Sequence, residues 1–203
     1  YHEQGAVFGP AHPVLELGTI CIGCAWKQTV PAAKLDAVEI ATGGLDKAGG
    51  IFTVDAIAYW DELLDTGVHV AALGGSDDHK AGQDLGTFDS PIGDATTMVF
   101  AENLSAEAIV EAVRNGRTVV KLQGPDDPMI ELWSADELDG DTVRATSTSL
   151  DVVLTGAQGA QMRLVTDGTP GSLIAVDADP FEWSAQVEAP ATGERRYRAE
   201  LFV

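Results

Sequence analysis

"TVDAIAYWDELLDTGVHVAALGG", residues 53–75, changes its period halfway along, and that change decides the fold class. Apolar residues at Ile57, Trp60, Leu63 and Leu64 share one face at helical spacing, and Gly67 supplies a stop. "VHVAALGG" (68–75) then runs mostly apolar, broken only by His69, as a buried strand does. Upstream, "GAVFGPAH" (5–12) and "LDAVEIATGG" (35–44) are two more short apolar runs. Downstream, "SAEAIVEAVRNG" (105–116) has Ser105 as N-cap, acidic residues early, Arg114 late and Gly116 just past the end. "RTVVKL" (117–122) follows as a strand. Strand, helix and strand in this rhythm predict an α/β fold with a parallel sheet and crossover helices.

After "QGPDDP" (123–128) the texture changes. "MIELWS", "DTVRATSTS", "LDVVLTG", "QMRLVTDG", "FEWSAQVEA" and "RRYRAELFV" are short, β-rich and separated by Gly, Pro and Asp. The division expected is an α/β domain over 1–124 and a small antiparallel β-sandwich-like domain over 125–203.

The chain has 203 residues, 45% of them hydrophobic and 22% charged, enough for a real core. Its balance of 32 acidic against 12 basic residues gives a net charge of −20. Such a surface repels phosphate backbones, so no nucleic-acid partner is expected. No run of about 18 apolar residues exists, so no membrane span is expected. The composition suits a soluble protein, cytoplasmic or secreted, without choosing between them. The chain opens on "YHEQGAVFGPAHP" with no initiator Met and runs straight into an apolar segment, the look of a start inside a fold.

"LGGSDDHKAG" (73–82) is the part least easily explained as packing. In parallel α/β folds functional groups sit at the C-terminal ends of strands. Asp77 and His79 follow the third apolar run, His12 follows the first, and Glu39 lies near the end of the second. Carboxylate oxygen and imidazole nitrogen both suit zinc, manganese or iron, and in an extended segment Asp77 and His79 point the same way. The competing reading is a polar loop in which Asp77 caps a turn and His79 is solvated. Asp78, between them, should point away, or else support the metal ligands from behind. Glu39 is either a supporting partner of the metal ligands or an outward strand residue. Trp26 and Lys27 either line a substrate pocket or, for Trp26, pack into the core. Cys21 and Cys24 form a C-x-x-C without a second pair, so loop thiols, a disulfide and redox or metal roles all stay open. "DELDGD" (136–141) reads as a solvated acidic turn.

The stretches "FGPAHP", "CAW", "AVEIATGG", "YWDELLDTG", "VAALGGSDDH" and "PIGDATTMVFAENLSAEAIVEAVRNGRTVV" together resemble the C-terminal half of a PHP (polymerase and histidinol phosphatase) domain. The branch they resemble is that of the carbaryl-hydrolase-type metallohydrolases, and the likeness covers residues 1 to about 124. The resemblance implies part of a distorted (β/α)7 barrel, two or three divalent metals, and hydrolysis of phosphoester or related ester or carbamate bonds by a metal-bound hydroxide. It makes His12, Asp77 and His79 the metal ligands, with Asp77 and His79 also catalytic. The β-rich tail is similar to an appendage many members of that branch carry. The family's His-x-His, its next histidine and its metal-bridging glutamate are absent here. The remaining ligands are therefore expected from a preceding N-terminal segment or a second chain, a further copy of this one included. The reading from another class is a non-catalytic binding module, its β domain recognising a carbohydrate or a surface.

Overall fold

The computed structural model describes residues 2–19, 25–46, 49–83, 86, 90–135 and 137–203. It divides the chain into two compact units, Tyr1–Asp127 and Pro128–Val203.

In the first unit, strand β1 (Ala37–Thr42) leads through helix α1 (Gly49–Asp65) to strand β2 (Ala71–Gly75), and β1 and β2 pair in parallel. Phe52 and Ala56 are the fully buried residues of α1, and Tyr59, Trp60 and Leu63 continue the same face against Val38, Ile40 and Val70. The indole of Trp60 donates to the carbonyl of Val70 at 2.7 Å, tying the helix to the approach of β2. Gly67 ends the helix with φ +83°, a conformation that costs glycine nothing. On the opposite face of the pair, Ala37 and Ala71 pack with Val113 of helix α2 (Ala106–Arg114). Ser105 caps α2 by accepting from the Ala108 amide at 3.2 Å. β1 and β2 are thus covered on both faces.

The barrel expected from the sequence is not there. Among the described residues α1 and α2 are the only α-helices, and β1–β2 is the only parallel pair in the unit. Strand β3 (Thr96–Val99) precedes α2 and strand β4 (Thr118–Lys121) follows it, but these two pair antiparallel. A strand–helix–strand order does not by itself fix strand direction, and here the second helix closes an antiparallel pair. Nor is 5–12 a strand. It runs beside β1, with the amides of Asp36 and Glu39 donating to the carbonyls of Phe8 and Pro10 at 2.8 and 3.2 Å. Pro10 has no amide to give back, so no ladder forms. Gly9 lies so close to Ala37 that any Cβ there would strike the Ala37 carbonyl.

The β1–β2 pair and the β3–β4 pair meet through side chains. The Thr97 hydroxyl donates to the Gly74 carbonyl at 2.7 Å and accepts from the Gly74 amide at 2.8 Å. The Thr118 hydroxyl donates to the Ala72 carbonyl at 2.9 Å. Two threonines occupy hydrogen-bonding sites of β2 that a neighbouring backbone would otherwise fill.

The second unit is antiparallel throughout. Its strands are β5 (Met129–Ser134), β6 (Glu137–Leu138), β7 (Ser147–Thr155), β8 (Gln161–Thr166), β9 (Thr169–Pro170), β10 (Ile174–Ala175), β11 (Phe181–Glu188) and β12 (Tyr197–Phe202). One sheet runs β11-β7-β5-β6; the other runs β10-β8-β12, with β9 beside β8. Val152, Leu154, Met162 and Val176 form its buried centre, with Leu132, Trp183 and Leu201 packed on them. Alternate residues of β5, β7 and β11 point inward, so the others face out. No helix among the described residues is long and apolar enough to cross a membrane.

Candidate functional site

The candidate groups lie along β1 and just past β2, and of them Asp77 and His79 meet side chain to side chain. Pairing continues past the strands, since the Gly43 amide donates to the Gly75 carbonyl at 2.8 Å. Glu39 sits at an irregularity of the β1 register, half-buried. Its Oε2 accepts the His12 amide at 2.6 Å, while its own amide holds Pro10. Oε1 stands where a side chain on Gly75, the last residue of β2, would make contact. Burial raises the Glu39 pKa above the ordinary carboxylate value; the His12 amide, the Thr42 hydroxyl and the His12 charge act against that, and the charge of Asp77 adds to it. Glu39 thus lies within electrostatic reach of both His12 and Asp77. The Thr42 oxygen is buried and lacks a well-formed hydrogen bond, although it stands near enough to Glu39 to favour the ionised carboxylate.

Asp77 and His79 meet directly, Nε2 of the imidazole standing 3.1 Å from Oδ1 of the carboxylate. Both are exposed. They do not meet by lying on an extended segment: Asp77 has φ +53°, and the chain turns there. His12 has φ +31°. Among the described residues only five besides glycine have positive φ, and two of these are His12 and Asp77. Backbone strain gathered at one strand end is a mark of functional loops.

Asp78 turns away into its own loop. Its oxygens accept the amides of Lys80 and Gly82, closing the 78–82 turn. Trp26 and Lys27 follow Ala25, which forms an isolated antiparallel bridge with Val14. They line a shallow open pocket of about 270 Å³ with Pro13, Glu16 and Tyr59. Lys27 pairs with Glu16 at 2.6 Å, and Trp26 stands edge-on to Phe8 with ring centres 6.3 Å apart. Cys21 and Cys24 lie outside the described residues. His2 and His69 are exposed, and His2 pairs with Asp36 at 2.7 Å.

Two residues of this end carry no sequence signature. Ser90, 1% exposed, accepts the Gly44 amide at 2.8 Å and so holds the loop after β1. Thr42 is buried beside Glu39. The nearest signal was the Gly pair at 43–44, which marks a turn without saying what stands over it.

Among the described residues no group of three His, Cys, Asp or Glu side chains is close enough to hold a metal ion. The donor types at the two strand ends suit such an ion, but they are arranged as one Asp–His pair and a glutamate already engaged with the His12 amide. No protein-family model, curated protein or solved structure matches the chain.

Proposed function

We propose that this chain carries part of the active site of a divalent-metal-dependent hydrolase acting on phosphoester or related ester or carbamate bonds. The PHP-like motifs at His12 and Asp77–His79 led to this reading. The observation that carries it is the contact of Asp77 with His79 just past β2, beside a half-buried Glu39 that holds the His12 backbone amide. The donor set is incomplete within the described residues, so the remaining ligands come from outside them, from a further segment or a second chain. A bound zinc, manganese or iron ion would supply a hydroxide near neutral pH.

The chain's own residues have defined tasks in this scheme. Asp77 orients the His79 ring by accepting from or facing its Nε2, which fixes the other ring nitrogen for a ligand. Glu39 keeps the 10–12 segment at the strand end by holding both the His12 amide and the Pro10 carbonyl.

Metal content and hydrolysis of a generic aryl phosphoester and an aryl carboxylic ester, each measured in the intact enzyme, with the segment or chain that supplies the remaining ligands, as wild type and as His79→Ala, form the test. Stoichiometric metal and turnover in the wild type, both lost in the variant, support the proposal. A wild type that holds no transition metal under saturating zinc or manganese, or a variant with unaltered turnover, overturns it.

A further inference from the structure

The outer face of the β11-β7-β5-β6 sheet carries an aromatic ring near the end of β5, in surroundings that packing does not require. Leu132 points into the core, so Trp133 faces out, and it is partly exposed. Across the sheet Trp133 stands opposite Asp151 of β7, which stands opposite Ser184 of β11. Asp151 Oδ1 accepts the hydroxyls of Ser149, at 3.0 Å, and of Ser184. Glu131, on the same face of β5, accepts the indole N–H of Trp133 at 3.3 Å. Gln186 lies one step further along β11, exposed.

We propose that this face binds a neutral carbohydrate, one sugar ring stacking on Trp133 with its hydroxyls meeting Glu131 and Asp151, and the next ring along the chain of sugars reaching Gln186. The inference is independent of any chemistry in the first unit. A pyranose has an apolar C–H face and a rim of hydroxyl donors. The site offers the matching pair, a flat apolar ring and acceptor-only carboxylates beside it. Three features select this ligand class. The outward positions of β5, β7 and β11 hold no Lys or Arg, and the chain's net charge is −20, so an anion has nothing to pair with. A carboxylate bonded to the indole N–H lies at the edge of the ring, where the hydroxyls of a stacked sugar project. A cation held by the ring would sit over its face instead, where Glu131 is not placed. The serine hydroxyls fix the Asp151 carboxylate in advance, which lowers the entropy lost on binding.

The test titrates the full chain calorimetrically with cello-, manno-, xylo- and malto-hexaose, and with tetralysine as a cationic control. Trp133→Tyr keeps a ring, and Trp133→Leu keeps apolar bulk without one; circular dichroism verifies that each variant folds. The expected result is millimolar or tighter binding of at least one hexaose. That binding should weaken about tenfold or more in Trp133→Leu and stay within about threefold in Trp133→Tyr. No binding of any hexaose, equal binding in Trp133→Leu, or binding of tetralysine alone would each overturn the inference.

Discussion

Holding His12 and Asp77 in left-handed backbone costs on the order of 1–3 kcal/mol at each position. The cost is informative because it separates two roles that a plain alanine scan confuses. Asp77→Gly relieves the strain while deleting the carboxylate. It should therefore leave stability unchanged or raise it by roughly 1 kcal/mol, and at the same time abolish metal retention and turnover. Chemical denaturation alongside metal analysis checks both; a variant as active as the parent removes Asp77 from the site. A second residue makes a pH prediction. Contrary to the solvated turn expected of 136–141, burial pushes the pKa of Asp139 up to about 7, the Gly140 amide opposes the rise, and the neighbouring Asp141 charge adds to it. The folded state then binds a proton that the unfolded chain, with an ordinary Asp, has already released. Stability should be greatest below about pH 4 as far as this group is concerned, and fall as pH rises towards 7. Asp139→Asn should flatten that part of the profile. Urea titrations of both proteins across pH 4–8 measure it, and parallel profiles would refute the assignment.

At the scale of elements, the caps were legible and the directions were not. α2 could be read from Ser105, Arg114 and Gly116 because each satisfies a local need of a helix end. Ser105→Ala should cost about 1 kcal/mol, seen as a lower melting temperature, because the Ala108 amide loses its acceptor. α1 begins at Gly49, earlier than the apolar spacing from Thr53 suggested, since Phe52 already reaches the core. "TTMV" has no strong alternation, so β3 was not visible as a strand, and with it went the antiparallel turn of the sheet. The expected barrel extended a strand–helix rhythm that holds for one crossover and then reverses. At the site, Asp77 and His79 were legible because they are neighbours in sequence. Ser90 was not, because its position depends on a loop returning from far along the chain, and Thr42 was not, because a threonine inside an apolar strand gives no sign of the irregular register that sets it beside Glu39. Gly9 makes its own element-level prediction. Gly9→Ala would drive a methyl into the Ala37 carbonyl, and should destabilise the fold by about 1–3 kcal/mol or displace the His12 segment. Either a lower melting temperature or lost metal binding would register it; an unperturbed protein would show that the 5–12 segment does not lie where it is described.

For the whole molecule, charge and seams govern behaviour. A net charge of −20 makes the folded chain repel itself, so added NaCl should raise the melting temperature steadily between low salt and a few tenths molar. A thermal scan at several salt concentrations tests this, and a flat response would mean that the charges are already compensated locally. The threonine seam in the first unit has a different consequence. Gly74 exchanges both of its backbone bonds on that side with one rotatable hydroxyl, that of Thr97, rather than with a strand. A hydroxyl can swing away without unfolding anything, whereas a ladder opens only in concert. In heavy water, the Gly74 amide should therefore take up deuterium sooner than the ladder amides of β1, which wait for a larger opening. The same line would be where the first unit parts under a pulling force: β1, α1 and β2 leaving as one piece, with the loops that carry His12 and Asp77 still attached.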